Sequence, residues 1–217
     1  MSLYTKMSLF DLDNTLLKGN SSYHFGKYLY REGILSPWQA PNMLLSYGLH
    51  KTHLLSLQSL HERIFSSFFK ALPLSFITPH VKVFLELHLH NFLYEPAYTL
   101  LQQAQKEGAY VAILSNSPDF LVSAIGKALG VCCSMGTKYA VDENGCFSHV
   151  SSLLDGDAKS LWMEEMRAIL NIDRSLVTAY SDSILDLPFL SSAGVAVAAN
   201  PDKQLRALCQ SRGWQII

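Results

Sequence analysis

With 217 residues, 49% of them apolar and 16% charged, the chain can bury a large core, which excludes intrinsic disorder and a disulfide-stapled miniprotein. Seventeen Lys/Arg against eighteen Asp/Glu give a net charge of −1, which argues against a nucleic-acid binder held by bulk electrostatics. Four cysteines (Cys132, Cys133, Cys146, Cys209) without a CxxC pair point to reduced thiols. No apolar run reaches the ~18–20 residues of a membrane span, and the N-terminus reads as a strand instead of a signal peptide. The expectation is a cytoplasmic protein with neither membrane nor nucleic acid among its partners.

In chain order, Met7–Phe10 is a short apolar strand. Residues 18–94 differ from everything after them: the spacing is helical throughout, and Ser36-Pro37, Pro41, Pro73 and Thr78-Pro79 divide the stretch into four helices. This segment carries seven Lys/Arg (Lys18, Lys27, Arg31, Lys51, Arg63, Lys70, Lys82) against three Glu (Glu32, Glu62, Glu86), a local charge of +4. From Pro96 onward helices and strands alternate. Helices are predicted over 96–106, 120–129, 157–170, 184–191 and 201–211, and strands over Tyr110–Leu114, Leu176–Tyr180, Val195–Ala198 and Trp214–Ile217. Cys132–Cys133 is also read into a strand, as buried, inert thiols. Alternation of this kind predicts an α/β fold, a parallel sheet flanked by helices, with ligands at the carboxyl ends of the strands. Residues 1–17 and 95–217 form the expected core, and 18–94 an inserted helical module.

The strongest chemical signal is Phe10-Asp11-Leu12-Asp13-Asn14-Thr15-Leu16. Two aspartates two apart at the end of a strand face the same side. They repel unless a cation lies between them or one keeps a proton, so the pattern suits a divalent metal or a nucleophile beside a general acid. The alternative is a helix N-cap pair. After the 176–180 strand come Asp182 and, one helical turn on, Asp186. If the two strands are neighbours the carboxylates converge, and hard oxygen ligands without His or Cys favour Mg2+ over zinc. Ser115-Asn116-Ser117 ends another strand and offers a hydroxyl and helix N-terminal amides to an anion. Lys159 stands near a helix start, where its charge opposes the helix dipole. Seven histidines fall within 18–94 (His24, His50, His53, His61, His80, His88, His90). The His88/His90 pair does not share a helix face, which disfavours a chelate, and Phe65, Phe68 and Phe69 read as core of the inserted module.

These motifs, in this order, resemble the haloacid dehalogenase-like (HAD) hydrolases over essentially the whole chain: DxDxT at Asp11–Thr15, a serine at Ser115, a lysine at Lys159 and the Asp182/Asp186 pair. The helical insert resembles a type-1 cap. FDLDNTLL, YSDSILDLPFL and VAVAANPDKQLRALCQSRGW are most similar to subfamily IB, the phosphoserine phosphatase (SerB)-like group. The resemblance implies a Rossmann-like core and a Mg2+-dependent phosphomonoester hydrolase. Asp11 would be the nucleophile that carries an aspartyl-phosphate, and Asp13 the general acid/base. The metal would be held by Asp11, the Asp13 carbonyl and Asp182, with Asp186 behind them. Ser115, Asn116 and Lys159 would hold the phosphate. Asn20 stands where phosphoserine phosphatases are expected to carry a glutamate for the substrate's ammonium. Arg63 is the candidate for the carboxylate-binding arginine, and His24 for a further substrate contact. A small anionic phosphate ester drawn by the cap's positive charge is therefore expected, acted on by a monomer or homodimer whose cap hinges near 16–20 and 93–96. The alternatives are a phosphotransferase using the same phosphoenzyme and a catalytically silent binding module.

Overall fold

The structure is a computed structural model that describes residues 4–36, 38–39, 45–46, 48–49 and 54–217. Its strands are β1 (Met7–Phe10), β2 (Tyr110–Pro118), β3 (Cys133–Val141), β4 (Phe147–Ser152), β5 (Val177–Ser181), β6 (Val195–Ala198) and β7 (Gln215–Ile216). Its helices are α1 (Ser21–Arg31), α2 (Leu57–Ile64), α3 (Leu74–Phe92), α4 (Glu95–Lys106), α5 (Asp119–Leu129), α6 (Gly156–Ile169), α7 (Leu187–Ser192) and α8 (Lys203–Arg212). Among the described residues the strands form one sheet in the order β4-β3-β2-β1-β5-β6-β7, parallel except for the β3–β4 pair.

β1 occupies the centre because it is apolar on both faces. Leu9 packs into the core on one side of the sheet and Phe10 into the core on the other, as a period of two requires. Its neighbours are β2 and β5, with Phe10 opposite both Ile113 and Tyr180. The Phe10 and Tyr180 rings stack at 4.1 Å. The ends of β1, β2 and β5 therefore lie side by side, which is the adjacency that the carboxylates need.

Between Ser21 and Phe92 the described residues are mostly helical, and no named strand falls among them. α1 starts at an Asn20 cap, whose side chain accepts from the Tyr23 amide, and α2 runs on into a π-type turn over Phe65–Phe69. The expected helix between them falls partly outside the described residues, as do Pro37, Pro41, His50, Lys51 and His53. The chain leaves and re-enters the sheet through a short ribbon, in which Lys18 N donates to Phe92 O (2.6 Å) and Tyr94 N to Leu16 O (2.8 Å). A second attachment joins 71–74 to the β3–β4 hairpin through Ala71 N to Phe147 O, Phe147 N to Leu72 O and Leu74 N to Gly145 O. Phe65 and Phe69 fill the space between these parts, edge-on to Tyr139, and Phe69 also meets Phe147.

Three local expectations need correction. Thr78-Pro79 does not break the chain, because Pro79 lies inside α3; the Thr78 hydroxyl donates to Leu74 O (2.8 Å) and keeps the first turn bonded. β4 was not foreseen: it is an edge strand with Phe147 as its buried residue, so no apolar alternation marks it. Cys133 does begin a strand, but Cys132 is exposed, so the buried-thiol expectation fails there. No described helix is long and apolar enough to cross a membrane.

Gly156 opens α6 where the helix presses on the turn before α7: a Cβ there would collide with the Leu185 carbonyl oxygen. Gly156→Ala is expected to cost about 1–3 kcal/mol. That corresponds to a fall of several degrees in Tm for a chain of this size, readable by differential scanning calorimetry.

Candidate active site

Asp11 and Asp13 follow β1 directly. The Asp11 amide donates to Tyr180 O at 2.9 Å, continuing the sheet. The chain then turns tightly: the amides of Leu16 and Leu17 both return to Leu12 O. Asn14 takes a left-handed conformation with φ 57°, which asparagine tolerates better than most residues. The turn presents Asp11, Asp13 and Asn14 to the cavity and brings Thr15 back under Asp11.

Asp11 sits between two partners. Lys159 Nζ donates to its Oδ1 at 2.6 Å, and the Thr15 hydroxyl donates to its Oδ2 at 3.2 Å. The same hydroxyl lies 3.4 Å from Asp182 Oδ1, so carboxylates 171 positions apart in sequence are joined through one threonine. Lys159, 1% exposed, comes from the second turn of the Asp155-capped α6. It also donates to Asp186 Oδ2 at 2.7 Å, an oxygen that the Ser181 hydroxyl reaches at 2.6 Å. Asp186 thus holds the lysine in place beneath the site. These contacts use two of the three donors of the ammonium.

Asp13 is bound differently. Its Oδ1 accepts from the Ser21 amide (2.7 Å), and its Oδ2 from Asn20 Nδ2 (2.9 Å) and the Ser117 hydroxyl (2.6 Å). Ser21 and Ser22 hydroxyls in turn reach Ser117 Oγ at 3.1 and 2.9 Å. The start of α1 and the end of β2 therefore close over Asp13 together.

The charge balance decides what the site can hold. Four acidic groups share one lysine. Burial, partly offset by Lys159 and reinforced by Asp186 and Asp13, pushes Asp11 up to about 7 from an ordinary 3.8. Burial, with repulsion from Asp11 and Asp186, pushes Asp182 up to about 8. Burial also raises Asp13, against its hydrogen bonds from Ser117 and Ser21. Burial works to lower Lys159, but Asp11 and Asp186 outweigh it and the lysine stays charged. Lys159 alone leaves Asp11 and Asp182 well above the usual carboxylate range; a second cation would favour their ionised forms. Among the described residues no three His, Cys, Asp or Glu side chains form a ligand shell by themselves. Two carboxylate oxygens meeting at a threonine fit a hard divalent cation that keeps several waters, which is the habit of Mg2+.

The candidate residues do not all gather here. Asp11, Asp13, Asn20, Asn116, Asp182 and Asp186 line one cavity of about 850 Å³. Ser115 and Lys159 lie behind its wall, fully buried, with the Ser115 hydroxyl accepting from the Ser117 amide (3.1 Å). His24 is turned away: its Nε2 meets Lys18 O at 3.2 Å and its ring stacks on Phe92 at 4.0 Å. Arg63 is exposed, because the inward face of α2 is the stripe Leu57, Leu60, His61 and Ile64. Neither residue supports the expected substrate contact. Of the described Lys and Arg residues in 18–94, Lys27 lines the cavity. Sequence reading missed Thr15, Ser21, Ser22 and Ser117 as site residues.

A profile of the haloacid dehalogenase-like hydrolases matches residues 9–191. The chain belongs to this family. Its relatives include the "Inhibition of morphological differentiation protein" of Streptomyces azureus, 30% identical over 100% of this chain and 79% of the relative. Another is phosphoserine phosphatase SerB1 of Mycobacterium tuberculosis (strain H37Rv), 28% identical over 98% of this chain and 70% of the relative. Among solved structures, a Bordetella pertussis Tohama I protein with unknown function superposes with a TM-score of 0.87 at 23% identity, covering 99% of this chain and 98% of that one. That likeness is to the fold. The chain is a hydrolase of the HAD family with a SerB-like architecture.

The raised carboxylates set the sign of a pH effect. A group whose folded pKa is raised contributes stability that is present below its ordinary value and lost as pH climbs through the folded value. The metal-free protein should lose Tm as pH rises from about 5 to about 8, the window bounded by the ordinary 3.8 and the folded values near 7 and 8. A divalent cation, which binds the ionised forms, should raise Tm more at the upper end than the lower. Scanning fluorimetry with chelator or MgCl2 reads both effects, and Asp182→Asn should shrink both.

Proposed function

We propose that the protein is a Mg2+-dependent phosphomonoester hydrolase that works through an aspartyl-phosphate on Asp11, with residues 18–94 serving as a cap over a core of 1–17 and 95–217. The supporting observation is the meeting of Asp11 and Asp182 at Thr15, directly above the buried Lys159–Asp186 pair. Mg2+ would be held by Asp11, Asp182 and the Asp13 backbone carbonyl, and when bound it would supply positive charge to the non-bridging phosphate oxygens.

The chain's own residues do the rest. An Asp11 carboxylate oxygen attacks phosphorus as the ester P–O bond breaks, and the leaving alkoxide takes a proton from Asp13. The burial that raises Asp13 lets it carry that proton nearer to neutrality than an exposed aspartate would. In the second half a water attacks phosphorus, its proton returns to Asp13, and the bond to Asp11 breaks, releasing phosphate and restoring both carboxyl groups. Lys159 orients Asp11, and its third donor offsets charge on the phosphoryl group. Asn116, at the cavity wall near the end of β2, is placed to bind a phosphate oxygen, and Ser115 backs it by fixing the Ser117 amide.

The protein should release phosphate from p-nitrophenyl phosphate with Mg2+ and not with chelator. Asp11→Asn should abolish turnover, and Asp13→Asn should lower kcat by roughly 10²–10⁴. After acid quench, mass spectrometry should find one added phosphoryl group on the peptide carrying Asp11 in the wild type. Turnover that survives Asp11→Asn would reject the assignment.

A further inference from the structure

The cavity above the carboxylates has one largely apolar side. Its wall includes Phe25 and Leu29 of α1, Leu60 and Ile64 of α2, Phe68 of the π-type turn, and Phe120 of α5, with polar residues such as Asn14, Asn20 and Ser22 nearer the carboxylates. These side chains come from several elements, so the apolar surface runs beside the path from the phosphate site. The buried polar groups on that wall, His61 and the Tyr139 hydroxyl, bond each other at 3.0 Å, which removes much of the demand for a polar partner in the ligand. Away from the acidic cluster, the charged residues at the described wall are Lys27, Asp202 and Lys203. Asp202 is committed to the amides of Ile184, Gln204 and Leu205. No arginine or glutamate is among the described lining residues. Along the α1–α2 side of this lining a zwitterionic or polyhydroxylated alcohol would leave part of its charges and hydroxyls against apolar side chains, which weakens binding. The volume, about 850 Å³, lies in the upper part of the range of ~300–1,000 Å³ for small-molecule sites, more than a phosphorylated three-carbon acid needs.

We propose that the leaving alcohol carries a hydrocarbon chain: the substrate is a phosphomonoester whose polar head sits on Asp11 and whose apolar body lies along the α1–α2 wall. The inference rests on the phosphatase reading above and names the substrate class for that same site. It differs from the expected small anionic metabolite, because an apolar wall at this position rewards methylene groups and no arginine is among the described lining residues to pair with a second carboxylate.

Phosphate release from the n-alkyl phosphates, ethyl through octyl, tests it, alongside O-phospho-L-serine and p-nitrophenyl phosphate. Each methylene that enters the wall should raise kcat/KM roughly fourfold, until the chain outgrows the cavity, and phosphoserine should trail octyl phosphate. Leu60→Asn should reduce the octyl-to-ethyl ratio of kcat/KM by about tenfold, a ratio taken within each variant so that a general loss of activity cancels. A flat or falling series, an unchanged ratio in Leu60→Asn, or phosphoserine as the better substrate would overturn the inference and leave the phosphatase reading intact. If neither the alkyl series nor p-nitrophenyl phosphate is turned over above the Asp11→Asn background, the phosphatase reading fails and this inference falls with it.

Discussion

One buried ammonium organises this molecule. Lys159 has no exposed surface to speak of, and it is tolerated there because Asp11 and Asp186 each take one of its donors. Removing one member of such a pair leaves an uncompensated charge, typically a loss of about 3–5 kcal/mol. The fold is arranged to prevent that. The parallel pairing of β1 with β5 brings Asp11 and the Asp182–Asp186 turn to the same sheet edge. Gly156, bare of a side chain, lets the start of α6 rest on Leu185 so that Lys159 reaches both carboxylates. A glycine, two strand ends and a lysine thus form one dependency, with Asp11 at its top.

The lysine accounts for one negative charge and leaves the site with an excess. That excess is visible in Asp11 and Asp182, both driven toward neutrality by burial and by repulsion from neighbouring carboxylates, Asp186 acting on each. A site that disfavours its own ionised carboxylates has an affinity for cations already stored in it, and metal binding releases that strain. Asp13 is kept out of this cluster by donors from Asn20, Ser21 and Ser117. Two aspartates two positions apart therefore sit in different surroundings, one beside an ammonium and one among hydroxyls and amides, which suits them to different tasks.

Much of this was legible in the sequence wherever information was local. The strands of the central sheet announced themselves as short apolar runs, and Asp11, Asp182 and Lys159 stood at their ends or at helix starts. Pairing through Thr15 was not legible, nor was the hydroxyl network around Asp13, because Ser21 and Ser117 meet only after the chain has folded over 96 positions. The β3–β4 hairpin left one overlooked signal, Asp142-Glu143-Asn144-Gly145, an Asn-Gly turn ahead of a polar edge strand. Arg63 was misplaced although the pattern held the answer: Leu57, Leu60, Ile64 and Phe68 recur at helical spacing, and a residue three after Leu60 but one before Ile64 points away from their stripe.

The attachment of residues 71–74 to the hairpin has mechanical weight. A lid joined only at the Leu16–Tyr94 ribbon could swing as a door on one edge. Here a second set of main-chain bonds, from Ala71 and Leu74 to Phe147 and Gly145, pins the opposite side. Outward rotation of the helices must tear those bonds or drag residues 142–152 along, so the moving body, if it moves whole, includes a piece of the sheet that chain order assigns to the other half.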